Sequence, residues 1–149
     1  MAATLGSIGY KSKAYREDSA NPGTFLQIIE VKSIDPAEPQ YDEAEFTHLE
    51  SPSATKEFKP TMKDPGEVKF TCNAVQGNAV QQGIESDFYA GTTTVQSWRH
   101  EICDNVTGAV QKTYTYPAYI KSVKRGPIST SDPIELAITI RVTGAVVIT

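Results

Sequence analysis

At 149 residues and 16.2 kDa, the chain is long enough for one domain with a hydrophobic core and too short for two of ordinary size. With 39% hydrophobic and 21% charged residues it lies far from the composition of a disordered chain. Its 14 Lys and Arg against 18 Asp and Glu, a formal charge of -4 at pH 7, exclude the basic surplus that tight binding to duplex phosphates requires, although a surface that lets DNA pass without sticking should lack one too.

The first 23 residues show no stable period, are rich in small residues and end in the turn-forming Asn21-Pro22-Gly23, so 1–23 is expected to be a flexible arm outside the core. No apolar run there reaches secretory-signal length, and none anywhere approaches a membrane span; a protein made in the cytoplasm, with no membrane partner, is expected. Thr24–Ile34 carries apolar residues on both faces of an extended segment, Leu26 and Ile28 on one and Phe25, Ile29 and Val31 on the other, and reads as one strand covered on both sides. A long loop follows over 35–64, with four prolines and both charge signs, of which only Ala44–Leu49 alternates as an extended piece would.

Glu67–Val75 alternates with Val68, Phe70, Cys72 and Ala74 on one face and Lys69, Thr71 and Asn73 on the other. The segment about 78–90 reads as a helix: Asn78 can cap it, Gln81 stands where a capping box wants its amide, and Gly91 can end it. Val80, Ile84 and Phe88 form its one apolar stripe. Two strands come next, Thr93–Cys103 and Lys112–Arg125, joined by an Asn- and Gly-containing turn, with Pro117 calling for a sheet edge or a bulge. From Ile134 to Thr149 the chain reads as a final strand, with Ile134, Leu136, Ile138, Ile140 and Val142 inward and Glu135, Thr139, Arg141 and Thr143 outward. The sum is a mainly β, antiparallel domain over 24–149 with one packed helix.

Catalytic and metal chemistry find little purchase in this pattern. His48, His100, Cys72 and Cys103 are the least that a structural zinc needs, but His100 and Cys103 lie three apart in a strand and leave opposite faces unless it is bulged. Both cysteines read as reduced apolar side chains, and no cofactor is expected. Ser51 beside His48 and Glu50 lacks the glycine-permitted turn of a nucleophilic serine, so those residues read as a polar surface loop. Asp42, Glu43 and Glu45 lack calcium-loop order and read as a solvated run.

Phe46–Phe70, FTHLESPSATKEFKPTMKDPGEVKF, resembles the tail tube (major tail) proteins of long-tailed bacteriophages, in the order T-H-L-x-S-P, E-F-x-P, K-D-x-G-E-V and strand. More weakly, the likeness extends over 24–149. The resemblance implies a β-sandwich or barrel-like protomer with a flanking helix, hexameric rings stacked into a tube in the virion tail, and DNA transit without specific binding. It also implies partners in the tape-measure protein, the tail terminator and tail tip or baseplate proteins. Related tubes serve phage-derived bacteriocins and type VI secretion, which stay open as alternatives, as does a monomeric β-sandwich ligand-binding module.

On this reading the 35–64 loop is contact surface between copies, with candidate residues Tyr41, Asp42, Glu43, Glu45, His48, Glu50, Lys56, Glu57, Phe58, Lys59, Lys63 and Asp64, Phe58 being the anchor. Two polar strand faces are eligible to line the bore: Lys69, Thr71 and Asn73, and Glu135, Thr139 and Arg141.

Overall fold

The structure, a computed structural model, describes residues 8–149. In chain order it contains β1 (Lys13–Glu17), β2 (Phe25–Ile28), β3 (Val31–Asp35), β4 (Gln40–Glu45), a 3-10 turn (Pro52–Ala54), β5 (Phe58–Asp64), β6 (Glu67–Asn73), α1 (Ala79–Tyr89), β7 (Gln96–Cys103), β8 (Val110–Arg125), β9 (Glu135–Val142) and β10 (Val147–Ile148). The main sheet runs β2-β1-β7-β8-β9-β6-β3, all antiparallel, with β10 alongside β8; β4 and β5 form a separate two-stranded sheet.

β2 and β3 stand at opposite ends of that order, yet only Ile29 and Glu30 separate them in the chain. A flat seven-stranded sheet would hold its margins roughly 29 Å apart, several times the reach of two residues. The sheet must therefore roll up into a barrel-like body. Glu30 takes the corner with φ +53°, and its carbonyl accepts from the Asn73 N–H at 3.0 Å. The expected single strand over Thr24–Ile34 is thus two strands meeting at a corner, and neither is covered on both sides: of their residues Ile28 alone is buried, and Leu26 and Gln27 are exposed.

The expected arm is also corrected in part. β1 pairs with both β2 and β7, and its Ala14 is fully buried in the core, so 13–17 belongs to the main sheet. Its signal was hidden because the second inward position is Arg16, whose guanidinium lies 5.5 Å from the Trp98 ring centre, donates to Gln96 Oε1 at 2.9 Å and pairs with Asp87 of α1. The arm's residues 1–7 lie outside the described residues.

Alternation fills the interior chiefly from four strands of the main sheet: Val68, Phe70 and Cys72 of β6; Leu136, Ile138, Ile140 and Val142 of β9; Tyr116, Ala118, Ile120 and Val123 of β8; and Trp98 of β7, stacked on Phe70 at 6.2 Å. Full burial of such a side chain is worth about 1.5–3 kcal/mol. α1 packs on this body through buried Ile84, with Val80 and Phe88 beside it. Two ion pairs pin it, Arg16–Asp87 and Arg125–Glu85 at 2.6 Å.

Asn78 caps α1 by accepting from the Gln81 N–H at 3.0 Å, but the Gln81 amide does not reach back to complete a capping box. It turns inward, fully buried, to accept from Val75 N–H at 2.8 Å and donate to the Asn73 carbonyl at 2.9 Å, joining the helix start to the end of β6. Burial of an amide demands such partners, and the backbone of 73–75, with the Cys72 sulfur 3.6 Å from Nε2, offers them.

Three further expectations change. The last segment is two strands, since β9 ends at Val142 and β10 returns to pair Thr115 and Tyr114 of β8. Pro117 sits in the central strand β8, at the gap between β9 and β10 on one side, where its carbonyl accepts from Thr143 N–H at 2.9 Å and no ladder donor is required of it. The β7–β8 register slips between Ile102 and Cys103, where β8 carries the extra residue Gln111, and His100 and Cys103 are both buried.

The gap at Pro117 is filled by Gly144, whose φ is +140° and where an added Cβ would stand 2.8 Å from Pro117 Cγ. Gly144→Ala should cost about 1–3 kcal/mol in denaturant unfolding, through a backbone region closed to L residues and a clash with a stiff ring.

In the core, His100 Nδ1 lies 2.9 Å from the Tyr116 hydroxyl and its ring stacks on Tyr114 at 4.8 Å. Burial lowers the His100 pKa from 6.5 to about 4 and raises that of Tyr116. Between those two values the unfolded chain binds more protons than the folded one, so stability falls as pH drops from 6.5 towards 4, by up to about 3 kcal/mol. His100→Gln should flatten that slope when unfolding is followed across the window.

Candidate assembly surfaces

The expected loop over 35–64 is in the main a β-hairpin. β4 and β5 pair Gln40 with Asp64, Tyr41 with Lys63, Glu43 with Pro60, Ala44 with Lys59 and Glu45 with Phe58, with an extra residue in β5 between Pro60 and Lys63. Alternation was hard to read because that bulge shifts the faces of β5, and because neither face is buried within the chain. Nearly every residue of the two strands is exposed, including Tyr41, Phe58 and Met62.

Register sets out two faces. One carries Tyr41, Glu43, Glu45, Phe58, Pro60 and Lys63, with the Lys63 ammonium 5.7 Å from the Tyr41 ring centre. The other carries Ala44, Lys59 and Phe46, with the Lys59 ammonium 4.9 Å above the Phe46 ring. Each face therefore offers an aromatic ring with a cation resting on it.

The tip is ordered by its own hydrogen bonds. Ser51 Oγ accepts from His48 N–H at 2.9 Å and donates to Glu57 Oε2 at 3.0 Å; His48 Nε2 lies 3.4 Å from the same carboxylate, and His48 Nδ1 accepts from Glu50 N–H at 3.2 Å. Glu57 N–H donates to Thr47 Oγ1 at 2.9 Å. The Ser51 hydroxyl is thus directed to Glu57 and not to an imidazole nitrogen, which is the wrong partner for a nucleophile-and-base pair. Glu50 contributes its backbone alone to this cluster. Beside it Leu49 stands fully exposed. Among the described residues no group of three His, Cys, Asp or Glu comes together as a metal-ligand set.

The six polar strand residues are brought together on one outer face. β6 pairs with β9, so Lys69 stands opposite Thr139, Asn73 opposite Glu135, and Thr71 opposite Ala137, while Arg141 stands opposite Glu67. β3 extends this face on one side and the C-terminal half of β8 on the other, adding Lys32, Asp35, Lys121 and Lys124. Ion pairs lace it: Lys32 with Glu135, Lys121 with Glu67, Arg141 Nη1 with Glu67 at 3.7 Å, and Arg141 Nη2 with Asp64 at 2.8 Å.

Asp64 therefore belongs to the root of the hairpin and couples it to the sheet. Its carboxyl is held below the usual carboxylate range by the Gly66 N–H and by Arg141. Lys32, Glu67 and Lys121 were not among the sequence candidates, because their partners lie 54 or more positions away and no local pattern marks them. Phe46, Leu49 and Met62 were also missed, although apolar residues in an otherwise polar, proline-rich segment were their signal.

Among the described residues both margins of this polar face are open. β3 pairs only with β6, and β7 accompanies β8 no further than Ala118, leaving Tyr119–Arg125 with a ladder on the β9 side alone.

No curated protein matches the sequence. Three of the similar solved structures are a chain of the anti-feeding prophage (AFP) baseplate, the tail of an empty GTA particle and the SPP1 tail tube. The first has a TM-score of 0.78 at 6% identity, covering 99% of this chain and 97% of that one. The second has 0.73 at 15%, covering 97% and 99%; the third has 0.68 at 16%, covering 93% and 77%. At such identities they establish the shared fold, an antiparallel β body with one helix. The family model described as Lambda phage tail tube protein, TTP, matches residues 10–149, and the chain belongs to that family of tail tube proteins.

Proposed function

We propose that copies of this chain join edge to edge into closed rings, that the rings stack, and that the resulting tube conducts DNA out of the phage tail. The observation that carries this reading is the hairpin Gln40–Asp64. A two-stranded ribbon is marginally stable on its own in water, yet this one holds Tyr41, Phe46, Leu49, Phe58 and Met62 in solvent across its strands and tip. Their burial against the next ring would contribute roughly 1.5–3 kcal/mol for each side chain fully covered. The charged candidates Asp42, Glu43, Glu45, His48, Glu50, Lys56, Glu57, Lys59 and Lys63 then form the rim of that contact, each exposed pair worth about 0–1 kcal/mol.

Ring closure uses the two open margins. β3 of one subunit joins Tyr119–Arg125 of the next, a head-to-tail contact that closes when the rotation permits, in a hexamer by family resemblance. Joining those margins continues the face of Lys69, Thr71, Asn73, Glu135, Thr139 and Arg141 around the ring, which favours that face as the lining of the bore. The tape-measure protein within the bore, a terminator at one end and tip proteins at the other complete the set of partners.

Leu49→Ser combined with Phe58→Ser should leave the Tm of the isolated chain within about 2 °C, since neither side chain touches the core, and should abolish tubes in negative-stain micrographs. Normal tubes from the double variant would remove the hairpin from the stacking contact.

A further inference from the structure

We propose that the bore face is made passable to a phosphate backbone by internal ion pairing, with Glu67 and Glu135 holding its cations back from the duplex; this rests on the assignment of that face to the bore. The chain as a whole carries -4, but the acidity is not here. The face presents the bases Lys32, Lys69, Lys121, Lys124 and Arg141 against the acids Asp35, Asp64, Glu67 and Glu135. Bare cations repeated around a ring would grip DNA, since each phosphate they neutralise releases a counterion.

The acids are placed against that outcome. Glu67 of β6 contacts both Arg141 of the neighbouring β9 and Lys121 of β8 beyond it, Arg141 is also engaged by Asp64, and Glu135 holds Lys32. Asp35 stands opposite Lys69 in the β3–β6 register. Four of the five cations thus have an acid beside or across from them. A cation with an anion within 4 Å acts at phosphate distance as a dipole, whose field falls off faster than that of a single charge. A phosphate that captured it would also strand the carboxylate. The pairs are exposed, so their removal should leave the fold intact.

The test is Glu67→Gln with Glu135→Gln in the full chain, against a control that removes the same charge from β1 and β7, Glu17→Gln with Glu101→Gln. Anisotropy of a labelled duplex of about 30 base pairs at about 50 mM salt should show binding at least tenfold tighter for the first pair than for wild type, lost by about 200 mM, and no change for the control. Equal binding by wild type and the Glu67/Glu135 variant, or equal gain from both pairs, would overturn the proposal. In assembled particles the first pair should slow DNA release and the control should not. The opposite pattern would put the bore on the β1–β7 face and sink the ring assignment, while the result on isolated chains still decides whether pairing masks the cations.

Discussion

The corner at Ile29–Glu30 ties the two ends of a seven-strand sheet together with a two-residue link, and this geometric constraint shapes everything else. Because β2 and β3 cannot part, the sheet curls, its inner face becomes a closed core, and its outer face is divided between two directions. The core is then filled by ordinary alternation, from Val68 to Val142, with α1 pinned on by Arg16 and Arg125. Curling does not use every edge, however: among the described residues β3 and the distal half of β8 keep theirs free.

A protein that leaves strand margins open usually protects them with charge, proline or a covering loop. Here the margins flank a polar, ion-paired face, and a hairpin with aromatic residues on both sides extends from the same region through Asp64 and its bond to Arg141. The proposed assembly uses both features. The side chains suit the proposed contact and passage: rings with lysines laid over them, acids set beside bases, and a His48–Ser51–Glu57 cluster whose bonds shape a loop.

Arg141 illustrates how the two surfaces meet. By position in β9 it belongs to the sheet face, by its bond to Asp64 it steadies the hairpin root, and by its proximity to Glu67 it joins the network reaching Lys121. A single side chain thereby links the proposed bore to the proposed stacking element, so the two are mechanically continuous within a subunit.

The sequence by itself determined whatever depends on near neighbours: the inward faces of β6 and β9, the Asn78-capped helix with Ile84 on its stripe, the mainly β class, and, through the motifs of Phe46–Phe70, the tail tube family. Tertiary structure alone decided the rest. Arg16 reads as part of a flexible arm until Trp98, Gln96 and Asp87 surround it; Gln81 reads as a cap until burial turns it to the backbone; Pro117 reads as marking an edge or a bulge until β9 and β10 leave a gap beside it. The hairpin hid its period because neither of its faces is buried within the chain, and Glu67 and Lys121 hid their pairing because it spans 54 positions. Periodicity records which side of a segment meets the core, and says nothing of partners that only the closing of the sheet brings into reach.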